Sequence, residues 1–165
     1  MTIVATRNGP VVSLVSQYYA PSTRSSTNGV GPVVDTDYVT LATVTVPGGL
    51  MNSNGKLIIE QDWKHTGSAS TKTLRVDWGG NWITGPTVTT AVNSWFVLGI
   101  KNANSLTSQI MLNGTNYSTS TLDATASVNT ASDVAIDFKC NWSAPVVGEQ
   151  IILRGYSVWY YPGNS

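Results

Sequence analysis

Apolar and polar residues alternate with a period of two along much of this chain. In Lys56–Lys64, Leu57, Ile59, Gln61 and Trp63 share one face, and Ile58, Glu60, Asp62 and Lys64 share the other. Lys72–Trp78 sets Leu74, Val76 and Trp78 against Thr73, Arg75 and Asp77. Ser132–Cys140 sets Val134, Ile136, Phe138 and Cys140 against Asp133, Ala135, Asp137 and Lys139. Successive side chains of a strand leave opposite faces, so each segment predicts a strand with one face in a core and one toward water. Further strands are predicted over Tyr38–Val46, Ser94–Lys101, Thr107–Leu112 and Gln150–Tyr161, with a short one over Thr87–Val92. A helical period is almost absent, and Val and Thr abound where helix formers are sparse.

Between these segments lie turn residues: Pro47-Gly48-Gly49, Asn54-Gly55, Gly79-Gly80-Asn81, Gly85-Pro86, Asn113-Gly114 and Pro145–Gly148. Asn54-Gly55 and Asn113-Gly114 have the form of tight hairpin turns. About eight short strands with such punctuation predict an all-β fold, a jelly-roll-like two-sheet β-sandwich, over residues 36–165. Residues 1–35 read differently. Val11–Val15 suits one strand, but Pro21–Pro32 has no period and is rich in Ser, Thr and Gly, so 1–35 is expected to be an extended N-terminal arm that becomes ordered on a neighbour.

Composition narrows the partners. Charged residues are only 11%, with Lys+Arg and Asp+Glu equal at 9 each, while hydrophobic residues reach 41%. A core can be buried, but phosphate binding needs clustered Lys and Arg, so no nucleic acid is expected as a partner. Neither is a membrane: no apolar stretch nears the roughly 20 residues of a span, and no polybasic anchor is present. Met1–Ala20 reads poorly as an export signal, and Asn113, Asn116 and Asn141 are expected to be chance Asn-x-Ser/Thr triplets. Cys140 is the only cysteine, which excludes an internal disulfide and multi-thiol zinc sites.

Catalytic chemistry is thin. The single His65 closes a strand and reads as a surface turn residue; no serine has a nucleophile-elbow context. Glu60 and Asp62 leave one strand face about 7 Å apart, a spacing compatible with a glycosidase pair. Arg75 and Asp77 on a neighbouring strand would make the group a cross-strand charge ladder instead, and that reading is preferred. Asp35, Asp37, Asp133 and Asp137 follow no calcium loop, and Gly79-Gly80 precedes no helix. No catalytic residue, metal or cofactor is expected. Among the aromatics, Trp63, Trp78 and Trp95 are expected in the core, whereas Trp82 and Trp142 fall in loop-like surroundings. Gln150–Tyr161 is apolar on both faces, Ile151, Leu153 and Trp159 against Ile152, Tyr156, Val158 and Tyr160. Such a strand is either covered on both sides or part of a subunit interface, and Tyr156, Val158 and Tyr160 are taken as the oligomer interface.

Several phrases have a familiar order: Leu41–Gly49, Met51–Ile59, Trp63 with Thr66-Gly67-Ser68, Thr71–Val76 with Gly79-Gly80, Lys101–Ser105 with Ser108-Gln109-Ile110, and Gly148–Val158. Over about residues 40–160 the chain resembles small all-β bacteriophage virion proteins, the capsid decoration (cement) proteins and related tail-fibre modules. The resemblance implies a jelly roll, commonly a trimer, without catalytic residues. On that footing the chain is expected on the outer capsid surface, binding the major capsid protein and copies of itself as a homotrimer. The arm, outside the matching part, supplies candidate attachment residues Val11, Val12, Tyr18, Tyr19 and Arg24. The alternative is a tail-fibre or spike module that grips host cell-surface glycan. With Met1 at its head and no repeat or coiled-coil stalk, decoration is preferred.

Overall fold

In the computed structural model, which describes residues 3–4, 12–18, 22–25, 37–113, 124–144 and 146–163, the period-two segments pair into two antiparallel sheets. The strands in chain order are β1 (Ile3–Val4), β2 (Val12–Tyr18), β3 (Ser22–Ser25), β4 (Val39–Val46), β5 (Lys56–His65), β6 (Lys72–Trp78), β7 (Asn81–Val88), β8 (Asn93–Asn102), β9 (Gln109–Asn113), β10 (Ala124–Ala126), β11 (Val134–Trp142) and β12 (Gln150–Tyr161). The larger sheet runs β1-β2-β12-β5-β8-β9-β10, with β3 also on β12, and the smaller runs β4-β11-β6-β7. The predicted β-sandwich is therefore the observed architecture.

The core lies between the sheets. Leu57, Ile59 and Trp63 of β5, Phe96, Leu98 and Ile100 of β8, and Leu153 and Val158 of β12 meet Leu74, Val76 and Trp78 of β6 and Ile136, Phe138 and Cys140 of β11. Each such side chain contributes about 1.5–3 kcal/mol by leaving water. Trp142 is the last residue of β11 and fully buried, so its loop-like appearance was misleading. Trp95 was expected inside, but β8 has the opposite phase: Phe96 points in and Trp95 out.

Local chemistry explains the turns. Gly79 and Gly80 have φ of 52° and 86° and join the Trp78↔Asn81 pair of β6 and β7. Two positive φ values in a two-residue loop make the primed turn that matches strand twist. Gly85-Pro86 is no turn. It lies inside β7, where the register with β6 shifts between Thr73 and Arg75. A proline without an N–H is tolerated there because β7 is an edge strand and the shift leaves a position unpaired. Asn54-Gly55 is not a hairpin either; it ends a turn, Gly55 N–H to Asn52 O at 3.0 Å, in the crossing from β4 to β5 in the other sheet. Gly114 lies outside the described residues.

Two pieces of the expected arm are strands of the larger sheet. β2 pairs with Tyr156–Tyr160 and β3 with Gln150–Leu153, both along the edge of β12 opposite β5. Ser22 Oγ donates to Leu41 O of the other sheet at 2.9 Å. Tyr18 stacks on Tyr156 at 5.6 Å, and Tyr156 on Phe138 at 4.4 Å, so Tyr18 is tied to the core of its own chain. Val12 and Arg24 lie in β2 and β3. Val11 and Tyr19, and the remainder of the expected arm 1–35, lie outside the described residues apart from β1 and these strands.

The expected interface residues also turn inward. Tyr156, Val158 and Tyr160 are buried within the single chain and belong to its core. The reason is a bulge in β12. Its register with β5 shifts between Leu153 and Gly155, so Ile151 and Leu153 face the core before it and Tyr156, Val158 and Tyr160 after it. One extra residue reverses the phase of alternation, which makes a one-faced strand look apolar on both sides. A subunit interface through these three side chains is therefore corrected to a core role.

Candidate functional site

A recess lies on the outer face of the larger sheet, above that bulge. Register places Asp62 of β5 between Trp95 of β8 and Gly155 of β12, and Glu60 between Val97 and Ser157. The resulting cleft, about 280 Å³, is lined by Glu60, Gln61, Asp62, Trp95, Arg154, Gly155, Tyr156 and Ser157. Trp95 is 65% exposed beside it. Arg154 donates from Nη2 to Asp62 Oδ1 at 2.5 Å, in a pair that is 40% and 43% exposed. Trp159 Nε1–H donates to Glu60 Oε2 at 3.3 Å.

The predicted ladder joining Glu60 and Asp62 to Arg75 and Asp77 does not form, because β6 belongs to the other sheet. There, Arg75 Nη2 donates to Asp77 Oδ2 at 3.0 Å, and Lys139 Nζ also donates to Asp77 Oδ2, at 2.5 Å. The Arg75 guanidinium lies 3.8 Å over the Tyr38 ring and 5.4 Å from that of Trp82. The period-two pattern gives faces within strands but not which strands are neighbours, so this separation had no sequence signal.

One end of the sandwich carries a second feature. Lys72 starts β6 on its inward face and is fully buried. Its Nζ donates to Ser68 Oγ at 2.5 Å, Ser70 O at 3.0 Å and Thr89 O at 3.1 Å. Glu149, 4% exposed, stands 4.0 Å away and accepts from Ser70 Oγ at 2.5 Å and the Val146 N–H at 3.2 Å. These bonds knit three loop segments, 66–71, 89–92 and 146–149, into one clasp. Burial pushes the Lys72 amine down, with Glu149 pulling it partly back. Burial pushes the Glu149 carboxyl up, but bonds from Ser68, Ser70 and Val146 and the charge of Lys72 outweigh it and hold the carboxyl below its usual value. Outside the clasp the same loops expose Val92, Val146 and Val147.

His65 is not the surface turn residue expected. It is buried next to the clasp, with Nδ1 2.8 Å from Ala91 O and Nε2 2.7 Å from Ser94 Oγ. A donor at Nδ1 for the carbonyl leaves Nε2 to accept from the serine hydroxyl. Burial lowers its pKa; the bond to Ala91 opposes this, and the charges of Lys72 and Arg154 reinforce it. Among the described residues, no three His, Cys, Asp or Glu side chains gather closely enough to hold a metal.

No protein-family model matches the sequence, and no curated protein is significantly similar to it. Among solved structures, the chain is similar to an apo Crh5 transglycosylase at 11% identity and a TM-score of 0.34, covering 92% of this chain and 88% of that one. It is similar to infectious bursal disease virus structures of the Gx strain (10% identity, TM-score 0.33) and the Gt strain (11%, 0.33). These cover 100% and 96% of this chain but 42% and 38% of the viral chains, so it spans about two fifths of their length. Likeness at this level assigns no function.

Proposed function

We propose that the chain is a bacteriophage virion structural protein of the decoration type, seated on the major capsid protein at the outer capsid surface as a homotrimer. The sequence resemblance over residues 40–160 supports the class. The observation that carries a docking role is the clasped end: three loops fixed by a buried ion pair, displaying Val92, Val146 and Val147, of which Val146 is 65% exposed. Exposed apolar side chains on a rigid mount lose little freedom when a partner covers them, so their burial goes into binding. A protein that binds only the assembled lattice stabilises that lattice by mass action.

The test has two parts. Densitometry of purified virions should find this chain in near step with the major capsid protein, and Val146→Asp/Val147→Asp should abolish binding to empty shells while the circular dichroism stays unchanged. A few copies per particle, or undiminished binding by the double variant, overturns the proposal. Sedimentation of a lone monomer removes the trimer. The second reading, a tail-fibre module that grips glycan, is favoured by one observation, the exposed Trp95 beside a polar cleft, and low copy number would select it.

A further inference from the structure

We infer that the cleft over the β12 bulge is a carbohydrate-binding site, taking one neutral sugar unit by its ring face and by a pair of adjacent hydroxyls. This holds whether the chain sits on capsid or tail, so it goes beyond the decoration reading.

The argument starts from Trp95. A large apolar ring at 65% exposure on an open sheet forgoes the burial that the other tryptophans of the core obtain, and it stands directly opposite Asp62 in register. A flat indole is a platform for the C–H face of a pyranose, leaving the hydroxyl edge to polar groups. Those groups are in place. Asp62 and Glu60 lie two residues apart on one strand, about 7 Å between Cα atoms, so their carboxylates accept from neighbouring hydroxyls. Arg154 is already oriented by its bond to Asp62 and is 40% exposed, so its guanidinium has further N–H groups to offer a sugar oxygen. Ser157 lines the same wall.

Charge sets the class. Two carboxylates and one guanidinium leave the cleft net negative by one, which disfavours sialic acids, uronates and phosphate-bearing glycans. Size agrees: about 280 Å³ is just below the roughly 300–1,000 Å³ of drug-sized ligand pockets, enough for one unit of a chain that continues into solvent. Hydrolysis does not fit. A glycosidase acid is held protonated by apolar surroundings, whereas Asp62 is half exposed and ion-paired and Glu60 accepts an indole N–H.

Isothermal titration of the full chain with methyl glycosides of glucose, galactose, mannose and rhamnose, and with sialic acid as the anionic comparison, tests the site. At least one neutral glycoside should bind saturably and sialic acid should not. Trp95→Ala should weaken binding about tenfold or more, and Glu60→Gln and Asp62→Asn several-fold each. Trp82→Ala, removing the exposed indole of the other sheet, should leave it unchanged. Saturable binding of none of the neutral glycosides, equal affinity in Trp95→Ala, or preference for sialic acid overturns the inference. Each of these outcomes leaves the virion copy number untouched, so the decoration proposal stands or falls separately.

Discussion

Replacing Lys72 by Met tests whether the buried clasp holds its end of the sandwich together. The two side chains are close in volume, so little cavity forms. What is lost is a charge that is fully buried, three hydrogen bonds from its Nζ, and the counter-ion of Glu149. At the 4.0 Å separation, attraction at an effective dielectric of 20 is about 4 kcal/mol before desolvation is subtracted. The desolvation is not recovered in the variant, because Glu149 stays 4% exposed with hydroxyls and the Val146 amide but no cation to satisfy it. Breaking one side of a buried pair costs about 3–5 kcal/mol. For a chain of this length that lowers the melting temperature by about 10 °C. Removing both charges, Lys72→Met with Glu149→Gln, should recover much of the loss, since no unpaired ion remains. Calorimetry at pH 7 on the parent chain, each single variant and the double variant measures it. A loss below about 1 kcal/mol in Lys72→Met, or a double variant as unstable as the sum of the singles, would refute the clasp as an energetic unit.

Two further outcomes follow from the buried groups. The folded chain keeps His65 neutral while the unfolded chain takes up a proton near the ordinary value of 6.5. Stability from this group is therefore complete above that value and is lost as pH falls below it, toward the lowered folded pKa. Urea midpoints should drop between pH 7.5 and 5.5, and His65→Gln should flatten that slope; an unchanged slope refutes it. Val158→Asp places a charge at a fully buried core position and should unfold the chain by more than about 4 kcal/mol; a folded, monomeric variant in sedimentation and circular dichroism would restore Val158 to an interface.

The strands were legible where alternation runs unbroken. In β5 and β11 every predicted face has the predicted burial, because nothing interrupts the pleat. The Gly79-Gly80 turn was legible because few other residues sustain two positive φ values. The inward His65 was also within reach, since it shares parity with Trp63. Lys72 likewise shares parity with Leu74, but its partner Glu149 comes from a loop with no period to locate it. Neighbour relations were not legible. Glu60 and Arg75 lie on sequential strands, and only the crossing between β5 and β6 sends them to different sheets.

The bulge at Leu153–Gly155 joins the misreading to the candidate site. Without it, strict alternation would carry Ile151 and Leu153 to the same side as Gly155, Ser157 and Trp159, and half of β12 would turn its apolar set to water. With it, two inward runs join in one strand, and the residue at the joint, Arg154, stays half-exposed over the outer face, where it reaches Asp62. A bulge disrupts the ladder locally and persists where it re-aims a side chain. Here the re-aimed side chain is the cation beside the exposed Trp95, and the glycine after it lines the cleft. The double apolar face that first suggested a docking strand is thus the trace of a device that completes the core on one side of the sheet and builds a polar recess on the other.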